Sequence, residues 1–233
     1  EIIDISKNDY FFKTNISKFN SKKLIDECNS IYMKKKKEKN SDYLNNLLDE
    51  EDVLNNKSIL NFATSDKIIN AAALHLKTYP CITSVQLWLS KKTRELKGSQ
   101  YYHFDQIHPR QFKIIVNVND VNNENGPFVF IPEKASKKLK SSKNWHKSFL
   151  DSELKSITSE KRNIKRHVGK KGSLLFVDSS NCLHSGSRIK KGQRLVLMIQ
   201  YAPFHSVKET SDYAWQKISK IFLDKGSNNY LKK

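Results

Sequence analysis

The chain has 233 residues, 37% of them hydrophobic, and a formal net charge of +18. That length suits one compact domain with a real core, and no stretch reaches the roughly 18 consecutive apolar residues of a membrane-spanning helix. The 42 Lys and Arg residues are spread along the whole chain among Asn, Ser and Ile, with no basic strand face interleaved with aromatics, so the charge reads as composition and argues against a nucleic-acid partner.

Glu1 to Phe12 lacks the basic region and apolar run of a signal peptide; the missing initial Met leaves a preceding segment open. Cys28, Cys81 and Cys182 are far apart and odd in number. They make neither a disulfide framework nor a zinc pair, which fits a reducing, cytoplasmic setting. Ser21 can cap a helix with Leu24, Ile25, Cys28, Ile31 and Tyr32 on one stripe. Ser41 to Leu48 repeats that spacing weakly through Leu44, Leu47 and Leu48. A further helix starts at Ser65 or Asp66 and carries Ile68, Ile69, Ala72, Ala73 and Leu76. Pro80 then breaks the pattern.

Beyond Pro80 the period changes to two. Val85, Leu87 and Leu89 alternate with Gln86, Trp88 and Ser90. Phe112, Ile114, Val116 and Val118 alternate with Lys113, Ile115, Asn117 and Asn119. Asn119 to Gly126 is a polar turn, and Ser173 to Val177 and Leu195 to Tyr201 are further strands. Strands joined by turns predict an antiparallel sandwich or barrel. The plan is therefore a single domain over 1–233. It has a helical part at 1–80, a strand core at 81–205 with a Lys- and Ser-rich insertion at 133–168 over one mouth, and a helix and tail at 206–233. The last helix is expected over Ser211 to Leu223.

The chemistry concentrates in three places. His103 and Asp105 are two apart, so on a strand they share a face. His184 stands at a strand end beside a glycine-containing turn. Two His and one carboxylate on one triangular face leave open positions on a metal, the ligand set of non-haem Fe(II) oxygenases. Arg194 follows His184 by ten residues. A hairpin over Ser185 to Gln193 would return it to the metal, where its planar fork can bind a carboxylate bidentately. His108, Asp178 and His205 lack such paired geometry.

Tyr102-His103-Phe104-Asp105, Asn119-Asp120-Val121, Asn125-Gly126-Pro127-Phe128, Ile131-Pro132, Gly172 to Phe176, His184-Ser185-Gly186 and Arg194 occur in an order that resembles the phytanoyl-CoA dioxygenase family of Fe(II)- and 2-oxoglutarate-dependent oxygenases. The resemblance covers about residues 84 to 203. It implies a mainly β fold with flanking helices, a double-stranded β-helix or cupin-like jelly roll. It also implies iron on His103, Asp105 and His184, O2 as oxidant, 2-oxoglutarate on Arg194, and hydroxylation with succinate and CO2 as co-products. Where relatives often read Gly-Ser-His after Ile131-Pro132, this chain has Glu133-Lys134-Ala135-Ser136. The His184–Arg194 spacing is one shorter than in some members, so either Ser185 or Ser187 assists the co-substrate. A carboxylate at Asp105, where some relatives that halogenate have Gly or Ala, points to oxygenation.

Strand phase adds Gln86 and Gln100 as further co-substrate residues, and Trp88, Asn117, Arg110 and Lys113 as substrate residues. An inward Lys113 without a partner would call for an anion, hence a small, polar, anionic substrate; the equal alternative is that Lys113 faces solvent or pairs with Asp120 or Glu124. A glycan or lipid-linked substrate is the alternative for an enzyme, and a cupin-like binding protein without catalysis is the alternative to one.

Overall fold

The computed structural model describes residues 3–5, 10–13, 21–36, 43–106, 108–142, 145–158 and 163–203; the expected last helix and His205 lie outside them. Helix α1 (Ser21–Lys35) forms where expected, and its stripe of Leu24, Ile25, Cys28 and Ile31 is buried. Helices α2 (Glu50–Asn55), α3 (Lys57–Ala63) and α4 (Asp66–Leu76) follow. On α4, Ala71 is buried beside Ile68, Ile69, Ala72 and Leu76. The helix stops at Lys77 in the left-handed region, φ 54°. Among the described residues no helix is long and apolar enough to cross a membrane.

The strands are β1 (Tyr10–Lys13), β2 (Leu44–Asn46), β3 (Pro80–Ser90), β4 (Phe112–Asn117), β5 (Phe128–Ile131), β6 (Lys165–His167), β7 (Leu174–Val177), β8 (Leu183–Ser185) and β9 (Arg194–Pro203). They build a six-stranded sheet in the order β1-β7-β4-β9-β3-β2 and a three-stranded sheet in the order β6-β5-β8. Every pairing within them is antiparallel. This is the two-sheet jelly roll with flanking helices that the resemblance implies, and it agrees with the antiparallel sandwich or barrel that the period-2 stretches predict.

Two local expectations change. Leu44 to Asn46 is strand, not helix: Leu44 pairs with Ser90 at the sheet edge, and the Asn46 side chain accepts from the backbone N–H of Leu87 at 3.0 Å. Pairing to β3 overrides a weak helical spacing. Nor do β8 and β9 form a hairpin: they belong to different sheets, and residues 186–193 cross between them. The crossing is tied to the Asn122-to-Gly126 turn, with Lys190 N donating to Glu124 O at 2.7 Å. Gly126, at φ 68°, could not carry a side chain, because a Cβ there would stand 2.8 Å from the Arg188 backbone nitrogen.

The six-stranded sheet has two unlike faces. Phe112, Ile114 and Val116 of β4 join Val85, Leu87, Leu89, Leu197, Ile199 and the helices in one large apolar cluster. Each such side chain contributes about 1.5–3 kcal/mol on burial. The other face turns Trp88, Ile115, Val196 and Met198 toward Phe128 of the small sheet. The 133–168 insertion contains helix α5 (Glu133–Lys140) and ends in β6. Phe149 bridges Tyr102, and Lys140 lies 5.0 Å from the Phe104 ring and donates to Ser180 O at 2.7 Å. The insertion thus braces the segment that carries His103 and Asp105.

Candidate metal centre

Backbone pairing places the two histidines. His103 N donates to His184 O at 2.9 Å and His184 N to His103 O at 3.0 Å, so their rings stand side by side with centroids 4.3 Å apart. Each ring is also fixed in one tautomer. Nδ1 of His103 lies 3.0 Å from Tyr101 O, and Nδ1 of His184 lies 3.0 Å from Cys182 O. A carbonyl only accepts, so each Nδ1 carries the hydrogen and each Nε2 presents a lone pair. Those Nε2 atoms converge on Asp105 Oδ1, at 3.7 Å from His103 and 3.6 Å from His184. All three ligand atoms lie within 4.8 Å of one another.

Asp105 divides its oxygens between two tasks. Oδ1 faces the imidazoles, while Oδ2 accepts from Ser179 Oγ at 2.6 Å and from Lys113 Nζ. Burial opposes its ionisation, but Lys113 and then His184 outweigh that and hold the carboxyl well below its usual range. Burial, with His184 adding to it, pushes the His103 imidazole down to about 4. A carboxylate and two bare Nε2 atoms on one side of a cavity fit a divalent ion that keeps open positions.

Arg194 opens β9 and is buried. Its Nη2 donates to Ser187 Oγ at 3.0 Å, and its Nε has no partner. Among the described residues it pairs with no carboxylate. Burial lowers it only to about 10, so it remains a cation at neutral pH, and a buried cation without an anion is costly. One cavity of about 190 Å³ is lined by His103, Asp105, His184, Arg194 and Ser187 together. Trp88, Ile115, Phe128, Val196 and Met198 form its apolar walls, with the Phe128 ring stacked on His184 at 5.0 Å and 27°.

The remaining expected site residues divide. Trp88 and Lys113 line this cavity. Ser187, in the left-handed region at φ 61°, is held by Ser90 Oγ at 2.9 Å and by the Gln100 amide, which donates to its carbonyl at 2.7 Å. Gln100 therefore supports the pocket from behind. Gln86 lies outside the lining and accepts from Trp88 Nε1 at 3.2 Å. Ser185, one step out of phase with His184, faces a different cavity. Asn117 is buried outside the lining, its side chain unpartnered. Arg110 is exposed and lines a separate cleft with His75 and Asp178. Those two are paired to each other at 2.9 Å, and His108 Nδ1 accepts from Arg110 N at 3.1 Å.

Lys113 points inward, but Asp105 is its partner, so its charge does not call for an anionic substrate. Sequence reasoning missed Ser179 and Ser90, which hold Asp105 and Ser187, and Ser99 and Leu44, which line the cavity. Ser90 shares strand phase with Trp88 and could have been found. Ser179 reaches Asp105 across 74 residues with no local signal, and Leu44 arrives on a strand read as helix.

No protein-family model matches the chain, and no curated protein matches its sequence. Solved structures do match in fold. The α-ketoglutarate-dependent carbocyclase SnoK of nogalamycin biosynthesis is 11% identical, with TM-score 0.59 over 85% of this chain and 81% of that one. EctD from S. alaskensis, with 2-oxoglutarate and 5-hydroxyectoine, is 15% identical, with TM-score 0.58 over 87% and 74%. HygX from Streptomyces hygroscopicus, with nickel and 2-oxoglutarate bound, is 12% identical, with TM-score 0.57 over 86% and 84%. The chain therefore has the fold of these structures.

Proposed function

We propose that the protein is an Fe(II)- and 2-oxoglutarate-dependent oxygenase that hydroxylates a small polar molecule. One observation carries the reading: a His-Asp-His triad and a buried, un-neutralised arginine line the same cavity. The motif order that resembles the phytanoyl-CoA dioxygenase family supports placing it near that branch. Structures of this fold hold 2-oxoglutarate with nickel in HygX and with Fe3+ in SnoN, and HygX also holds hygromycin B.

The roles of this chain's residues follow from their geometry. His103, Asp105 and His184 would hold the iron, which when bound with 2-oxoglutarate supplies the oxidising chemistry from O2. Arg194 and the Ser187 hydroxyl would receive the far carboxylate of 2-oxoglutarate. Lys113 and Ser179 keep Asp105 Oδ2 occupied, so only Oδ1 is offered to the metal. Trp88, Phe128, Val196 and Met198 exclude water from the reacting end. The cavity is smaller than the roughly 300–1,000 Å³ of typical ligand pockets, so it suits a small substrate beside the co-substrate.

Anaerobic titration with Fe(II) should show about one metal per chain, and aerobic incubation with 2-oxoglutarate should release succinate. A metabolite screen by mass spectrometry then finds the product with one added oxygen. Metal binding without succinate under any substrate would sink the oxygenase and leave a cupin-like binding protein.

A further inference from the structure

A second cavity lies on the other side of the small sheet. The register pairs Val129 with both Arg166 and Ser185, so these three form one row across β6, β5 and β8. Their neighbours Phe128, Phe130 and His184 face the sandwich interior, so the row faces outward. Tyr102 extends it, because His103 bridges His184. This row lines a cleft of about 590 Å³ together with Pro127, Ile164, Arg188 and Lys190.

The cleft is built around cations. Arg188 lies over the Tyr102 ring at 5.0 Å. Its Nε donates to Gln100 O at 2.6 Å and its Nη1 to Asp151 Oδ2 at 2.8 Å. Its Nη2 is buried and has no partner. A guanidinium fixed on two nitrogens and unsatisfied on the third is oriented for an acceptor that the described residues do not supply. Arg166 pairs with no carboxylate among the described residues. Lys190 has only a 3.9 Å contact with Glu124, both largely exposed. Asp151 is the single acidic residue among the described residues of the lining, and Arg188 already occupies it.

We propose that this cleft binds a phosphorylated small molecule, with its phosphate between Arg166 and Arg188 and its organic part against Tyr102, Pro127 and Ile164. Two guanidiniums and an ammonium offer more donors than the two oxygens of a carboxylate can use. A phosphate monoester brings three acceptor oxygens and about −1.5 to −2 charge, and arginine forks match it. The site stands apart from the metal cavity and does not depend on the reading of the triad. It does share a wall with it, since Tyr102 and Ser185 adjoin His103 and His184 in the chain.

Calorimetric titration with inorganic phosphate and with phenyl phosphate tests this. Both should bind saturably, phenyl phosphate more tightly because its ring meets the apolar wall. Arg166 is exposed, so Arg166→Gln leaves the fold intact and should weaken phenyl phosphate at least about tenfold, the loss of one charge-assisted bond. Arg188→Gln, if its circular dichroism is native, should weaken it further. Arg194→Gln should leave the affinity unchanged. The proposal is overturned if neither probe saturates at millimolar concentration, if Arg166→Gln binds like the parent, or if Arg194→Gln abolishes binding, which would place the anion in the metal cavity.

Discussion

Strand β4 shows the same six residues serving two purposes. Phe112, Ile114 and Val116 enter an apolar cluster with the helices, where every side chain is matched by its neighbours. Lys113, Ile115 and Asn117 enter the space between the sheets, where the buried polar atoms left without partners include both side-chain atoms of Asn117, the Arg194 Nε, the Gln200 Nε2 and both ring nitrogens of His167. Buried polar groups in folded proteins are nearly always satisfied. A concentration of exceptions on one face marks where the fold gives up stability, and the opposite face supplies it.

Substitutions on the two faces should therefore separate. His184→Ala removes one of the three proposed metal ligands, and two cannot hold an ion firmly, so metal binding and turnover should vanish while the unfolding midpoint barely moves. Phe112→Ala empties a fully buried site and should cost about 3–5 kcal/mol of stability, with metal affinity retained in the molecules still folded. Chemical denaturation beside metal titration reads both. Equal stability losses in the two variants would erase the distinction between the faces.

Arg194→Lys probes the inner face at its charge. A point charge replaces a bidentate fork, and losing a buried charge-assisted pair costs about 2–5 kcal/mol. The dissociation constant for 2-oxoglutarate should rise at least about tenfold, with stability nearly unchanged. An unaltered constant would remove Arg194 from the co-substrate site. Lys113→Met should have a smaller effect. It frees Asp105 Oδ2 from one of its two partners, and outer partners of ligands are worth about 10–100-fold in metal affinity. Because Lys113 also adds positive charge beside the site, tighter metal binding in Lys113→Met would show that repulsion outweighs orientation.

How far the site was legible follows from the same contrast. Period-2 alternation in Phe112 to Val118 was enough to place Lys113 and Phe112 on opposite faces, because a strand has only two. That His103, Asp105, His184 and Arg194 would line one cavity was readable because few residue types suit a metal or a carboxylate. What sequence could not carry was closure between distant segments. Strand β2 came from residues with a weak helical spacing. Ser179 reaches Asp105 through tertiary folding alone. The crossing from β8 to β9 looked like a hairpin because its glycines suit either path. Lys113 was legible in direction but not in partner, since nothing local says that Asp105 will meet it.

The smallest expected effect concerns His167. It is the inward residue of β6 opposite Phe128, buried, with neither ring nitrogen bonded and the Phe12 ring stacked on it at 6.0 Å and 14°. Burial, with the Arg194 charge adding to it, pushes its imidazole down to about 3. An unfolded chain binds that proton near pH 6.5. Protonation therefore favours the unfolded state: the contribution of neutral His167 is fully present above about pH 6.5 and is lost as pH falls toward 3. His167→Phe removes the titrating group and two unsatisfied nitrogens from an aromatic setting. At pH 7 its stability should stay within about 1.5 kcal/mol of the parent, because lost polar mismatch offsets added volume. Between pH 6.5 and 4 the variant should lose less stability than the parent, though not none, since His103 is also pushed down to about 4. Urea unfolding of the metal-free protein at several pH values measures this. Parallel curves for parent and variant would mean that His167 is solvated or hydrogen-bonded, and that the inner face is better matched than its unpaired buried atoms imply.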